Sequence, residues 1–168
     1  MSDVAKALWT PTGKTIANSR MNRFAQLANE SGDLHAWSIN QPEQFWSLVW
    51  DDCGVVGHKG ERSFIAAQPG APMSTARFFP DAALSVVENM LATSGGGEAL
   101  VAIDEAGNRR SRSWDELRAR VSSIASALQA RGVVAGDRVV AWLPNSIEAI
   151  EVMLGAASIG AVFSSSSP

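Results

Sequence analysis

The residue pattern predicts an α/β fold: an N-terminal helical extension running into the first βαβ units of an incomplete doubly wound sheet. Three observations carry this. Trp114, Leu117, Val121, Ile124, Ala125 and Leu128 recur at helical spacing behind a cap signal. Val139-Val140-Ala141-Trp142-Leu143 is an apolar run of strand length. A second helical pattern follows it and leads into another apolar run, Ala161-Val162-Phe163. Helix, strand, helix, strand is the order of a parallel sheet wound with helices.

Along the chain, Leu8-Trp9-Thr10-Pro11 opens an irregular segment that contains Thr12-Gly13-Lys14-Thr15. The G-K-T would suit a phosphate loop only with another glycine upstream, where Leu8 stands, and with a buried strand before it. The phosphate-loop reading is rejected. Met21, Phe24, Ala25 and Ala28 define a helical face between caps at Asn18 or Ser19 and a stop at Ser31-Gly32. Trp37-Ser38-Ile39 is expected to be extended. Pro42 suits a first helical position, and Trp46, Val49, Trp50 and Cys53 line one face of a helix that ends at Gly54. These helices are too short to stand alone, so they must pack onto something.

Residues 54–80 are rich in turn signals, among them Gly57-His58-Lys59-Gly60 and Gln68-Pro69-Gly70. Ala83, Leu84, Val87, Asn89 and Leu91 suggest one more helix, and Gly95-Gly96-Gly97 a hinge or linker. Leu100-Val101-Ala102-Ile103 reads as a strand, residues 104–108 as a turn, and residues 109–112 as a short antiparallel partner. Ser113 with Glu116 forms a capping box, and Gly132 occupies the left-handed position past the helix end. Asp137-Arg138 is a polar turn entering a buried strand, and Asn145 with Glu148 is expected to cap the next helix. Past Phe163 the serines are expected to start the loop after the strand, where open α/β sheets bind ligands.

Composition narrows the function classes. Hydrophobic residues make up 46% and charged residues 18%, as in a globular protein. A net charge of −3 gives no electrostatic footprint for nucleic acid or anionic lipid. The single cysteine permits no intrachain disulfide, and no apolar run reaches membrane-spanning length. A cytoplasmic setting with neither nucleic-acid nor membrane partners is expected. Six Trp and no Tyr, with most Trp in the first fifty residues, supply apolar anchors to the N-terminal part.

No catalytic constellation emerges. His35, His58 and Cys53 lack zinc-site spacing, so no metal site is expected. Cys53 extends an apolar stripe and reads as a buried structural thiol, which argues against a Cys53–His58 nucleophilic pair. Asp51 and Asp52 are adjacent, so they diverge on a helix instead of forming an acid/base pair.

At residues 132–162 the motif G-V-x-x-G-D-R-V-x-x-W-L-P-N-x-x-E-A-x-x-x-M-L-G-A-A-S-I-G-A-V resembles the first βαβ units of adenylate-forming enzymes. Upstream, Trp37-Ser38-Ile39, Pro42, Phe45-Trp46, Val49-Trp50-Asp51, Cys53-Gly54-Val55, Gly57 and Lys59-Gly60 look like the N-terminal extension of acetoacetyl-CoA synthetases. Ala76-Arg77-Phe78-Phe79-Pro80, Leu84, Glu88-Asn89-Met90-Leu91 and Ser164-Ser165-x-Ser167-Pro168 continue that likeness. One departure is Ser85-Val86-Val87, where the family usually carries a small residue and a tyrosine-containing pair.

The resemblance implies an extension over residues 1–95 and the start of an AMP-binding domain over 96–168. It also implies a two-step reaction. An acetoacetate oxygen attacks the α-phosphorus of ATP and expels pyrophosphate; the thiol of CoA then attacks the acyl carbon and expels AMP. ATP, Mg²⁺ and CoA are the full-length family's requirements, and its phosphate loop, Mg²⁺-holding segment and catalytic lysine lie beyond the counterpart of Pro168. The chain alone is therefore expected to bind no cofactor and to be inactive, with no catalytic residue carried over. Ser165, Ser166, Ser167 and Pro168 approach the loop that borders the CoA nucleotide in related enzymes. The remainder of such an enzyme is the implied partner. Two alternatives stand beside this: a non-catalytic, partner-dependent module, and a piece of an acetyl- or propionyl-CoA synthetase.

Overall fold

A computed structural model describes residues 7–30 and 32–168. The chain divides into two compact units, the first ending at Ala83 and the second spanning Leu84–Pro168. The compositional boundary at Gly95-Gly96-Gly97 lies further along, and the difference between the two divisions is one short helix near residue 88.

The first unit is built on short capped helices. α1 (Gly13–Ala17) begins where the Thr12 hydroxyl accepts from the Thr15 N–H, so the G-K-T segment is a helical turn and not an irregular stretch. α2 (Arg20–Leu27) is capped by Ser19, one of the two predicted caps, but ends at Ala28, short of Ser31-Gly32. α3 (Leu34–Asn40) overturns the extended reading of Trp37-Ser38-Ile39. The Asp33 carboxylate accepts from the N–H groups of His35 and Ala36 at 2.9 and 3.2 Å, and this cap starts a helix that the β-prone residues would not start alone. α4 (Pro42–Asp52) has its proline in the first turn, as expected, and closes at Gly54, whose φ of +63° is left-handed.

The loop that follows is pinned by a two-residue antiparallel pair, β1 (Phe64–Ile65) with β2 (Arg77–Phe78), and by a bridge between His58 and Ala83. Aromatic rings hold the unit together. Phe24 and Trp37 meet Phe45 edge-on at 5.8 and 5.9 Å, Trp46 meets Phe78 at 5.1 Å, and buried Trp50 lies 4.9 Å from Phe79. Edge-to-face pairs at such spacing add to what the buried ring area contributes. Asp51 and Asp52 diverge as the sequence required: Asp51 takes Lys59 at 2.8 Å, and Asp52 takes Arg23 at 3.0 Å.

The second unit opens with α5 (Val86–Met90), shorter than its sequence pattern and capped by Ser85. β3 (Glu98–Ile103) and β4 (Arg109–Ser113) form the predicted antiparallel hairpin. Its turn is closed by the Asp104 carboxylate, which accepts from the Ala106 and Asn108 N–H groups. α6 (Trp114–Ala130) carries the full capping box of Ser113 and Glu116. Gly132 takes φ +85° past its end. The expected hinge glycines are tied to this helix: Gly97 accepts from the Trp114 N–H, and the Gly95 N–H donates to Asp115.

β5 (Arg138–Trp142), α7 (Ile147–Ser158) and β6 (Val162–Ser166) complete a βαβ unit in which the strands pair in parallel. α6 and α7 pack together over a core of Val87, Leu117, Val121 and Leu154. Val87 belongs to α5, which explains why that helix goes with the second unit.

Three expectations are corrected here. The cap of α7 is Ser146, whose hydroxyl faces the Ala149 N–H, and not Asn145. β5 is not buried: Val140 and Trp142 alternate outward at 77% and 75% exposure. The serines are not loop either. Ser164, Ser165 and Ser166 pair with Val140, Ala141 and Trp142, because a strand already templated by β5 continues through small polar residues whose intrinsic strand preference is weak.

Candidate functional site

β5 and β6 run in the same direction, so their carboxyl ends open on the same side, where the N-terminus of α7 also begins. A recess of about 210 Å³ lies there. Leu143, Pro144 and Asn145 line it after β5, Ala149, Ile150 and Met153 on α7, and Phe163, Ser165, Ser166 and Ser167 on and after β6. The structure thus brings three of the sequence-selected residues, Ser165, Ser166 and Ser167, to one recess; Pro168 is not among its lining. The Leu143 N–H donates to the Ser166 carbonyl at 3.1 Å, which ties the two strand ends together. None of the lining side chains is titratable. This recess can shape a ligand and offer hydroxyls, but it cannot move a proton.

The unit's charge chemistry lies elsewhere, on β4. Arg109 holds Glu98 through two hydrogen bonds at 2.8 and 2.6 Å, and Arg110 holds Glu148 at 2.8 and 3.2 Å. Arg112 reaches Glu151 on α7 at 3.0 Å, and Arg120 approaches the same carboxylate at 3.6 Å. Arg110 and Arg112 share one face of the strand, while Glu148 and Glu151 stand one turn apart on α7, so the hairpin is riveted to the helix that leads into β6.

The Arg109 guanidinium, with help from Ser111, pushes the Glu98 carboxyl down to about 2. The Arg110 guanidinium, then the backbone N–H and Ser146, do the same to Glu148. Both carboxylates start from an ordinary 4.5. Their stabilisation is therefore present above about 4.5 and lost as pH falls toward 2. Acid titration of the unfolding midpoint is expected to show a modest loss in that window, since both pairs are solvent-exposed. Arg110→Met should flatten the profile; an unchanged acid slope would show that the Glu148 pair does not contribute.

Sequence reasoning missed Glu151, which is fully buried with one oxygen lacking a hydrogen-bond partner. The signal was available: it is an acid in the middle of I-E-A-I-E-V-M-L-G-A-A, a helix apolar on almost every side.

Cys53 corrects the other way. It is exposed at the C-cap of α4, one residue before the left-handed Gly54. It borders a shallow apolar groove with Met21, Phe24, Leu34, Phe45 and Val49. His58 is held in a backbone bridge to Ala83.

A parallel βαβ unit with its recess beyond the strand ends, joined to a hairpin and a capped helix, is the architecture of a doubly wound α/β domain. Residues 88–168 match the AMP-binding enzyme family. Across 97% of the chain, the acetoacetyl-coenzyme A synthetase of Rhizobium meliloti (strain 1021) is 40% identical, and the aligned stretch is 26% of that relative. The acetoacetyl-CoA synthetase of Danio rerio is 34% identical over 98% of the chain and 25% of its own length. Among solved structures, that of acetoacetyl-CoA synthetase from Streptomyces lividans superposes with a TM-score of 0.80 at 33% identity, covering 98% of this chain and 27% of that one.

Over residues 88–168 the chain is similar to the AMP-binding enzyme family, and over nearly its whole length to acetoacetyl-CoA synthetases. The chain spans about a quarter of the length of the acetoacetyl-CoA synthetases it matches. Among the described residues no helix is long and apolar enough to cross a membrane.

Proposed function

We propose that this chain is the N-terminal part of an ATP-dependent acetoacetate–CoA ligase and that it supplies scaffold and one ligand-bordering edge, not the reacting groups. The observation that carries this reading is similarity to acetoacetyl-CoA synthetases along nearly the entire chain, the N-terminal aromatic segment included. The AMP-binding match alone begins at residue 88 and would fit any member of the group.

In this reading residues 1–95 form the extension, and residues 96–168 begin the AMP-binding domain. Ser165, Ser166, Ser167 and Pro168 border the CoA nucleotide, with the small hydroxyls leaving room for an adenine ring and offering it hydrogen bonds. Among the described residues no group of three or more His, Cys, Asp and Glu side chains converges. In this reading the groups that hold Mg²⁺ and the ATP phosphates belong to the remaining segment of the enzyme. The chain is cytoplasmic in this reading.

Acetoacetate-dependent exchange of labelled pyrophosphate into ATP tests the proposal. The chain alone is expected to give none, and the chain joined to the remaining segment of a full-length relative is expected to give robust exchange. Exchange driven by acetate or propionate and not by acetoacetate would move the assignment to the acetyl/propionyl enzymes. No exchange with any short acid would leave a non-catalytic, partner-dependent module.

A further inference from the structure

We infer that the apolar groove bordered by Cys53 is a binding site for a free medium-chain fatty acid, its tail along the groove and its carboxylate on Arg20. The groove lies wholly in the first unit, and the inference does not depend on the ligase reading. Three helices build it: Met21 and Phe24 come from α2, Leu34 from α3, and Phe45 and Val49 from α4, around about 460 Å³. That volume is in the usual range for small-molecule sites. Met21 is 70% exposed and the other four are half-buried, so the groove presents hydrocarbon to solvent.

The polar groups are gathered at one end. Phe24 faces Phe45 near the start of α4, while Arg23 reaches Asp52 at its finish. Arg20, at the start of α2, therefore falls on the Asp52–Cys53 side. The Asp52 carboxylate is already taken by Arg23 at 3.0 Å, whereas exposed Arg20 has no carboxylate partner among the described residues. The positive end of α2 and the negative end of α4 both border this side and oppose each other, which leaves the Arg20 guanidinium to set the sign.

An apolar trough that ends in one free cation fits an unbranched tail with an anionic head. A peptide laid along it would leave backbone N–H and C=O groups against hydrocarbon, because the polar lining is confined to that end. An alkyl chain has no such groups to satisfy. A carboxylate suits the head, since a guanidinium donates to both of its oxygens at once.

The intact chain carries its own reporter. Cys53 is the single cysteine and is exposed at the groove, so its rate of reaction with a thiol reagent reads occupancy of this place alone. Decanoate, kept below its micelle concentration, is expected to slow that reaction saturably, with one site per chain. Between hexanoate and decanoate each added methylene should tighten binding by about twofold, since a shallow groove buries each group only part way. Acetoacetate and butyrate should give no protection.

Arg20→Glu and Met21→Asp should each weaken decanoate by about tenfold or more, the scale for losing a charge-assisted contact or placing a charge in the trough. Arg77→Glu makes the same charge change on an exposed cation that does not line the groove, and should leave binding unchanged. Circular dichroism checks that the variants fold, which exposure at all three positions predicts. Four results would overturn the inference: no protection by any of these acids, equal protection by decanol, protection unmoved by both groove variants, or protection given only by phospholipid vesicles. A dimer of the chain that hides Cys53 without ligand would overturn it as well.

Discussion

Glu151→Ala is expected to lower the stability of the second unit by about 3 kcal/mol, the scale for removing one partner of a buried ion pair. Glu151 is completely inaccessible, whereas Arg112 retains 27% side-chain exposure, so water softens the loss on the arginine side only. The substitution leaves a void among α6, α7 and β4 and takes the carboxylate from both Arg112 and Arg120. Replacing the less exposed pair, Glu151→Leu with Arg112→Leu, should restore most of the loss, since a well-packed apolar pair often equals or exceeds a buried ionic one and the more exposed Arg120 keeps its contact with water. Denaturant midpoints of the single and double variants decide it. A single variant within about 0.5 kcal/mol of the parent, the usual range for surface substitutions, would mean that the carboxylate is not buried as described.

Gly155→Val carries the other large effect. A Cβ at Gly155 would sit 2.5 Å from Ile124 Cγ2 and 2.9 Å from Ile124 Cβ, closer than atoms can approach. Inside a helix, Gly→Ala normally stabilises by about 1 kcal/mol. Here the contact reverses the sign, because overpacking a well-filled core costs roughly 1–3 kcal/mol, and a β-branched side chain pushes further. Gly155→Ala should therefore already destabilise, and Gly155→Val should do so severely. Pairing Gly155→Ala with Ile124→Ala should recover stability beyond the sum of the single effects, the signature of residues in direct contact. Additive effects would indicate that α6 and α7 do not meet at this point.

Local signals made the second unit legible. The Ser113–Glu116 capping box, the left-handed Gly132, the hairpin at residues 98–113 and the βαβ order all follow from side-chain chemistry within a few residues, and the structure has each. The first unit was harder because its helices are one to three turns long, too short for periodicity to outvote residue preference. Trp37-Ser38-Ile39 looked extended until the Asp33 cap started a helix through it. At the candidate site the serines were found by resemblance, but their role as strand residues depends on pairing with β5, a partner more than twenty positions away.

The sequence by itself determined the capping box of α6, the order of elements from β3 to β6 and the resemblance to adenylate-forming enzymes, since these are written in neighbouring residues and in motif spacing. The tertiary structure alone decided which groups are buried. Glu151 lies in the core and Cys53 outside it, although helical spacing suggests the reverse for the cysteine. Gly155 serves close packing, Val140 and Trp142 face outward, and four arginine–glutamate contacts converge between β4, α6, α7 and β3. Burial depends on what the rest of the chain places opposite a residue. That is a property of distant segments meeting in space, and no local window of sequence contains it.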